Sequence, residues 1–498
     1  MPALLSKNTS DFRLYNTSSR TKEVFSPLKK GEVSFYSCGP TVYNNVHIGN
    51  LRAFLFSDTL QRYLKFGKNY SVKWVMNVTD VDDKTIKNSA EKFAGDDKIS
   101  DTNDKKLRLK KFTELYSQKF FEDLEKLNIK KESFYANPKA TDYIAEMQKV
   151  VQCIVDNGYG YISEGSVYFD VKKYAEHYKY GTLVHIDFDE MQSTDRVDND
   201  EYEKSSANDF VLWKAKKEGE PSWDFEISDT STGSVSHLEG RPGWHLECTA
   251  MSNEVLGIPF DIHSGGVDLC FPHHEDEIAQ SLAAYGKEPA NFWVHNEHLM
   301  VNGKKMSKSL GNFYTLEDLE KKGFSPEVIR FFLVSNHYRT KVNLSDESLK
   351  SSEQMLKRIR NFLEIGHANA STDNTQKFLD NFFSALDDDL NVSVALAEFF
   401  NFVKTSSGER LDNPEKSNPE ISQKFLDSVK VSENIFGISF LPKNTEESSI
   451  PENIQELLEL RKKAREEKNW KKSDEIRDKI SALGYEVRDG KSMSVKKM

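Results

Sequence analysis

The stretch from residue 33 to residue 78 constrains the fold more than any other part of the chain. Val33-Ser34-Phe35-Tyr36-Ser37-Cys38 reads as a strand, and a turn at Gly39-Pro40 follows it. Leu51, Phe54, Leu55, Leu60, Tyr63 and Leu64 then fall at helical spacing, and Gly67 stops the pattern. Tyr70 to Val78 reads as a second strand, with Val72, Trp74, Met76 and Val78 on one face. Strand, helix and strand in so short a span form a βαβ unit, the building block of parallel, doubly wound sheets. An α/β fold with a Rossmann-type parallel sheet is therefore expected.

The rest of the chain divides around that unit. Short strands such as Val167-Tyr168-Phe169-Asp170-Val171, set among charged loops, suggest an insertion over 134–207 that splits the sheet domain into a first half, 1–133, and a second half, 208–322. The second half holds 7 of the 12 histidines. From about 323 the chain turns helical, with Val328, Phe331, Phe332 and Leu333 at helical spacing, and a helical region is expected to 440, with loops at 368–376 and 406–422. Pro442 to Pro451 reads as a polar linker to a small C-terminal domain, 451–498. The composition of 94–106 suggests an exposed loop.

Composition excludes several classes. A net charge of −11 and 37% apolar residues point to a well-solvated surface, but 32 Phe, 19 Tyr and 6 Trp supply large buriable side chains and argue against disorder. No apolar run approaches the roughly 20 residues of a membrane span. The N-terminal segment lacks the basic-then-apolar layout of a secretion signal, so a cytoplasmic protein without a membrane role is expected. The four cysteines, Cys38, Cys153, Cys248 and Cys270, are too few for a disulfide framework, and no two have CxxC spacing, so any metal site must join distant segments. Arg461–Met498 carries 13 basic and 7 acidic residues, a net of 13 − 7 = +6. That asymmetry suits either a polyanion partner or a solvated charged helix.

Two short motifs carry chemistry. His47-Ile48-Gly49-Asn50 follows a strand and opens a helix. Gly49 permits close approach of a ligand, the helix N-terminus offers unpaired N–H groups, and His47 can donate to a phosphate. Taken alone, these four residues fit an ordinary helix cap with a surface histidine better than a phosphate site. Lys305-Met306-Ser307-Lys308-Ser309 is a compact cationic loop suited to a polyphosphate, bounded by a helix start at Thr315 with Asp318 three residues on. Taken alone it is a solvated basic loop.

In this order, the two motifs resemble the HIGH and KMSKS signatures of class I aminoacyl-tRNA synthetases. The strings CGPTVYNNVHIGN (38–50), NVTDVDDK (77–84), DFVLWK (209–214), GRPGWHLECTAM (240–251), FDIHSGGVDLCFPHHEDEIAQ (260–280) and KKMSKSLGNF (304–313) resemble, more closely, the cysteinyl-tRNA synthetase family. A weaker likeness covers 464–478. The chain departs from the HIGH pattern at Asn50, which still donates through its amide.

The resemblance implies ATP-dependent, AMP-forming ligation of L-cysteine to tRNA(Cys). It implies that His47, Asn50, Lys305 and Lys308 act on the phosphates and that Asp268 lies near the ribose. Thr79, Trp244 and His263 would line the amino-acid pocket. Cys38, Cys248, His273 and Glu277 would hold one Zn2+, with Mg2+ accompanying ATP. On a helix, His273 and Glu277 share a face at i, i+4, and His274, beside a ligand, would orient it. The implied architecture adds a stem-contact region and helical bundle at 323–440 and an anticodon-binding domain at 451–498, in a monomer. A related ligase that joins cysteine to an amino sugar would share the zinc and phosphate motifs but need no anticodon module. A non-catalytic zinc protein that binds RNA would not need both phosphate motifs.

Overall fold

The computed structural model of the chain describes residues 11–92, 104–185, 209–229, 233–306, 311–366, 374–408, 419–441, 452–467, 469–488 and 494–497. The chain divides into two compact units, Met1–Phe440 and Leu441–Met498.

The expected βαβ unit is present. Strand β1 (Glu32–Ser37) leads into helix α1 (Ile48–Arg62), and β2 (Ser71–Met76) follows a single π-helical turn ending at Gly67. Downstream come α2 (Trp244–Leu256), β3 (Phe260–Gly266), α3 (Glu275–Tyr285) and β4 (Ala290–Asn296). The four strands form a parallel sheet in the order β4-β3-β1-β2. Pairing of His263 with Tyr36, and of Ser264 with Ser37, places the end of β1 beside β3 although more than 200 residues separate them. Val72, Trp74 and Met76 alternate along β2 as expected, and Val75 between them is as buried as Trp74 and Met76. Burial of consecutive residues at the carboxyl end of β2 fits a parallel sheet covered on both faces.

A second, antiparallel sheet contains Gly160–Ser163, Ser166–Phe169, Phe210–Ala215, Ser234–Pro242 and Trp223–Asp229, in that spatial order. The expected boundary at 207/208 thus falls between two strands of one sheet, whose last residue in sequence is Pro242. Residues 186–208 lie outside the described residues, as do 94–103 of the expected exposed loop. Lys105 and Lys106 of that loop begin the helix Lys105–Lys126.

Helices Pro326–Val334, Asp346–Gly366, Thr375–Asp387, Val392–Gly408 and Pro419–Phe436 fill the expected helical region. Arg330, 1% exposed, is central to it. Its guanidinium donates to Asp58 Oδ2 of α1 at 2.5 Å, to the Leu127 carbonyl at 2.6 Å and to the Phe436 carbonyl at 2.9 Å. The second unit pairs helices Glu452–Glu466 and Trp470–Ala482 with a hairpin of Tyr485–Arg488 and Ser494–Lys497. Ile454, Ala464, Ile476 and Ile480 form its own core.

Candidate active site and metal centre

The candidate residues collect at the carboxyl end of the parallel sheet, where open α/β sheets take their ligands. Cys38 follows β1, Thr79 follows β2, His263 lies on β3, and His273 precedes α3. Gly39 is needed here: a Cβ would sit on the Asn77 carbonyl oxygen, and the Gly39 N–H donates to Asn77 Oδ1 at 2.8 Å.

Cys38, Cys248, His273 and Glu277 each offer one donor atom, all within 4.8 Å of one another. The two sulfurs are 3.8 Å apart, Cys38 Sγ is 3.8 Å from Glu277 Oε1, and His273 Nε2 is 3.1 Å from the same oxygen. Two sulfurs at about 2.3 Å from one tetrahedral zinc would stand about 3.8 Å apart. The donor set therefore fits zinc in both spacing and softness. A second set, Cys38, His263, His274 and Glu277, shares two of these residues and meets the same distance limit. It has one sulfur fewer, which makes it the poorer match to zinc.

Burial disfavours the charged forms of the donors. Cys248, His273 and Glu277 are buried, while Cys38 keeps part of its surface exposed. Burial pushes the Cys38 thiol well up, pushes Glu277 up to about 8, and pushes His273 down to about 4. A divalent ion among them would favour the thiolates, carboxylate and neutral imidazole that burial alone leaves uncompensated in part.

The surroundings orient this set. His263 Nε2 lies 2.9 Å from Glu277 Oε2, and the His263 ring stacks on Trp293 with centroids 4.6 Å apart. The Trp244 ring lies 4.2 Å from that of His273, centroid to centroid. His245 Nδ1 is 3.0 Å from His273 Nδ1. His274 Nε2 is 3.2 Å from Cys38 Sγ, and its Nδ1 is 2.7 Å from His295 Nε2. Thr79 donates to Glu247 Oε2 at 2.6 Å. The sequence reading passed over His245, His295 and Glu247. His245 and Glu247 lie inside the string 240–251, which is the one signal for them, whereas His295 lies outside every such string and nothing in its spacing marks a ligand.

The phosphate motifs meet at the N-terminus of α1. His47 is its N-cap: the Asn50 N–H donates to His47 Nδ1 at 3.2 Å, and Asn50 Oδ1 accepts from the His47 N–H at 3.4 Å. A Cβ on Gly49 would lie 3.0 Å from the His47 ring and 3.9 Å from Met306 Cε. The far flank of the basic loop also reaches this cap. The Phe313 and His47 rings are 5.1 Å apart, and the Ile48 N–H donates to the Tyr314 carbonyl at 2.9 Å. Lys305 is exposed on the short strand Lys304–Lys305, and Asp268 is exposed in the turn after β3. Lys308 lies outside the described residues.

The tRNA synthetases class I (C) catalytic domain family matches residues 24–354, and the Cysteinyl-tRNA ligase anticodon binding domain family matches residues 447–493. The chain is 43% identical to Cysteine--tRNA ligase of Brachyspira hyodysenteriae, covering 96% of this chain and 98% of that one. It is 41% identical to Cysteine--tRNA ligase of Chlamydia muridarum, covering 98% and 100%. Among solved structures, a Mycobacterium tuberculosis methionyl-tRNA synthetase bound by methionyl-adenylate has a TM-score of 0.57 at 11% identity, over 82% of this chain and 92% of that one. A LeuRS of Agrobacterium radiobacter K84 in a ternary complex has a TM-score of 0.56 at 12% identity, over 83% and 85%. The fold is thus that of class I synthetases, and by its full-length relatives the chain belongs to the cysteine–tRNA ligase family.

Proposed function

We propose that the chain activates L-cysteine with ATP and transfers the cysteinyl group to the 3′ end of tRNA(Cys). The observation that carries this reading is the four-donor set of Cys38, Cys248, His273 and Glu277 at the sheet end from which β1 leads into the His47–Asn50 cap. The cysteine carboxylate, already ionised at neutral pH, attacks the α-phosphorus of ATP, and pyrophosphate leaves. The terminal ribose hydroxyl of the tRNA then takes the cysteinyl group, at the 2′ oxygen, and AMP leaves.

This assigns roles residue by residue. His47 and Asn50 stand at the N-terminus of α1, where the helix dipole favours phosphate. Lys305 and Lys308 neutralise charge on the leaving pyrophosphate, and Asp268 holds the ribose. Thr79, Trp244 and His263 shape the amino-acid pocket. Cys38, Cys248, His273 and Glu277 hold one zinc ion, and Mg2+ accompanies ATP. When bound, zinc supplies a Lewis acid that prefers a thiolate to a neutral hydroxyl, separating cysteine from serine better than an apolar pocket could. His263, His245 and His274 fix the orientations of the ligands they touch.

On this reading 1–133 and 243–322 form the catalytic domain, 134–242, which holds the whole antiparallel sheet, the insertion, 323–440 the stem contact and bundle, and 451–498 the anticodon reader. Exposed Trp470 and the net +6 of Arg461–Met498 support that last role through stacking and phosphate contact. The protein works as a cytoplasmic monomer. Among the described residues, no helix is long and apolar enough to cross a membrane. The amino-sugar ligase has no use for the C-terminal unit, and nothing favours it. Cysteine-dependent ATP–pyrophosphate exchange, followed by charging of purified tRNA(Cys), tests the proposal. Exchange without charging would reject the tRNA ligase and favour the alternative.

A further inference from the structure

Arg52, on the buried face of α1, is 3% exposed. Its guanidinium is spent on main-chain carbonyls. Nη1 donates to the carbonyls of His298 at 2.6 Å and Glu297 at 2.7 Å. Nη2 donates to Thr340 at 2.5 Å, with longer contacts to Tyr338 at 3.3 Å and His337 at 3.4 Å. No ion pair joins Arg52 to a described carboxylate; the nearest acidic influence is Glu297, whose carboxylate faces Lys341 at 3.8 Å.

The two segments it grips have one thing in common. Glu297-His298 runs directly into the strand Leu299–Val301, and His337–Thr340 runs through Lys341 into the strand Val342–Leu344. These two strands pair in parallel, and Leu299–Val301 also pairs with Lys304–Lys305, so that Met300 faces Lys305. Arg52 therefore ties the base of the small sheet that presents Lys305 to the helix whose N-cap is His47. The cap holds the far flank as well, through Tyr314 and Phe313.

We propose that Arg52 is a positioning residue for adenylate formation: it fixes the Lys305 strand relative to His47, and through His337–Thr340 it ties both to the segment following the helix Pro326–Val334. This rests on the functional reading above, since it gives Lys305 a role in neutralising pyrophosphate. A purely packing role would need only the apolar stem. The planar fork of N–H donors is what two separate segments require, and a lysine, with three donors on one point, cannot span both sets of carbonyls.

The test is cysteine-dependent pyrophosphate exchange by the full chain, in a cycle of Arg52→Lys, Lys305→Ala and the double variant. Misplacement of a charge-stabilising group by about 1 Å costs roughly 10²-fold. Arg52→Lys is therefore expected to lower the exchange kcat by about 10- to 100-fold, with the KM for cysteine and the metal content unchanged. In the Lys305→Ala background the same change should cost less than about threefold, because the group it positions is already gone. Arg52→Lys keeps the stem and the charge; Arg52→Gln, which keeps a two-donor amide, serves as the second variant should the lysine form not fold. Full exchange by either folded variant would overturn the proposal. So would multiplicative losses in the double variant, or a parallel rise in the KM for cysteine, which mark general destabilisation. Exchange by the unaltered enzyme tests the functional reading separately.

Discussion

The sulfurs of Cys38 and Cys248 lie 3.8 Å apart, although 210 residues separate them in the chain. Cys38 is placed by β1 and Cys248 by α2, the helix that directly precedes β3, the parallel neighbour of β1. Parallel pairing brings the halves of the domain together, and the donor set depends on that pairing. This predicts a graded response to substitution. Cys248→Ser should abolish stoichiometric zinc, read by metal analysis of the purified protein, and should abolish cysteine-dependent exchange with it. His263→Ala, which removes the neighbour of Glu277, should weaken zinc binding by about 10–100-fold without abolishing it. If His263→Ala loses the metal and Cys248→Ser keeps it, the ion belongs instead to the set of Cys38, His263, His274 and Glu277.

Lys308→Ala should lower cysteine-dependent pyrophosphate exchange by about 10²–10³-fold, the usual loss for one charge-stabilising donor. Zinc content and cysteine binding should stay near those of the unaltered enzyme. Unchanged exchange would remove Lys308 from the phosphate machinery.

Asp58 gives a pH signature that involves none of the candidate metal donors. Burial pushes its carboxyl up, but Arg62 and Arg330 outweigh burial and hold it below the ordinary carboxylate range. A depressed folded value means that the contribution to stability is complete above the unfolded value of about 4 and fades as pH falls below it. Asp58→Asn leaves Arg330 buried without its partner and should cost about 3–5 kcal/mol at pH 7. Urea unfolding across a pH series should show the two proteins converging below about pH 4. A constant difference down to pH 3 would mean that the ion pair is not its source.

Much of the sheet could be read from residue patterns. The unit from 33 to 78 needed only apolar spacing and a stop at Gly67, and both strands and the helix lie within two or three residues of the expected positions. The antiparallel sheet was harder, because a buried apolar run such as Phe210-Val211-Leu212-Trp213 has no period that tells a parallel strand from an antiparallel one. Arg52 gives no signal at all: an arginine in a helix reads as a solvated charge, and its five carbonyl partners lie more than 240 residues away. Gly437 is similar, since only the structure shows that a Cβ there would strike the Arg330 guanidinium. Of the candidate metal donors, His273 and Glu277 have local spacing, at i, i+4, but Cys38 and Cys248 stand far apart among four Cys and 12 His, so only likeness to a family could select the set.

The C-terminal unit has its own core around Ile454, Ala464, Ile476 and Ile480, so its removal should leave the larger unit folded. A chain ending at Pro451 should retain pyrophosphate exchange while its KM for tRNA rises and the salt dependence of charging becomes shallower. Normal charging by the shortened chain across a salt series would assign anticodon reading elsewhere.

The most direct test is the transfer of labelled amino acid to purified tRNA(Cys), with ATP, by the full zinc-loaded chain. Cysteine should be esterified to the tRNA, and serine at equal concentration should give no charge above background. Absence of cysteine charging, or serine charging at a comparable rate, would contradict the account.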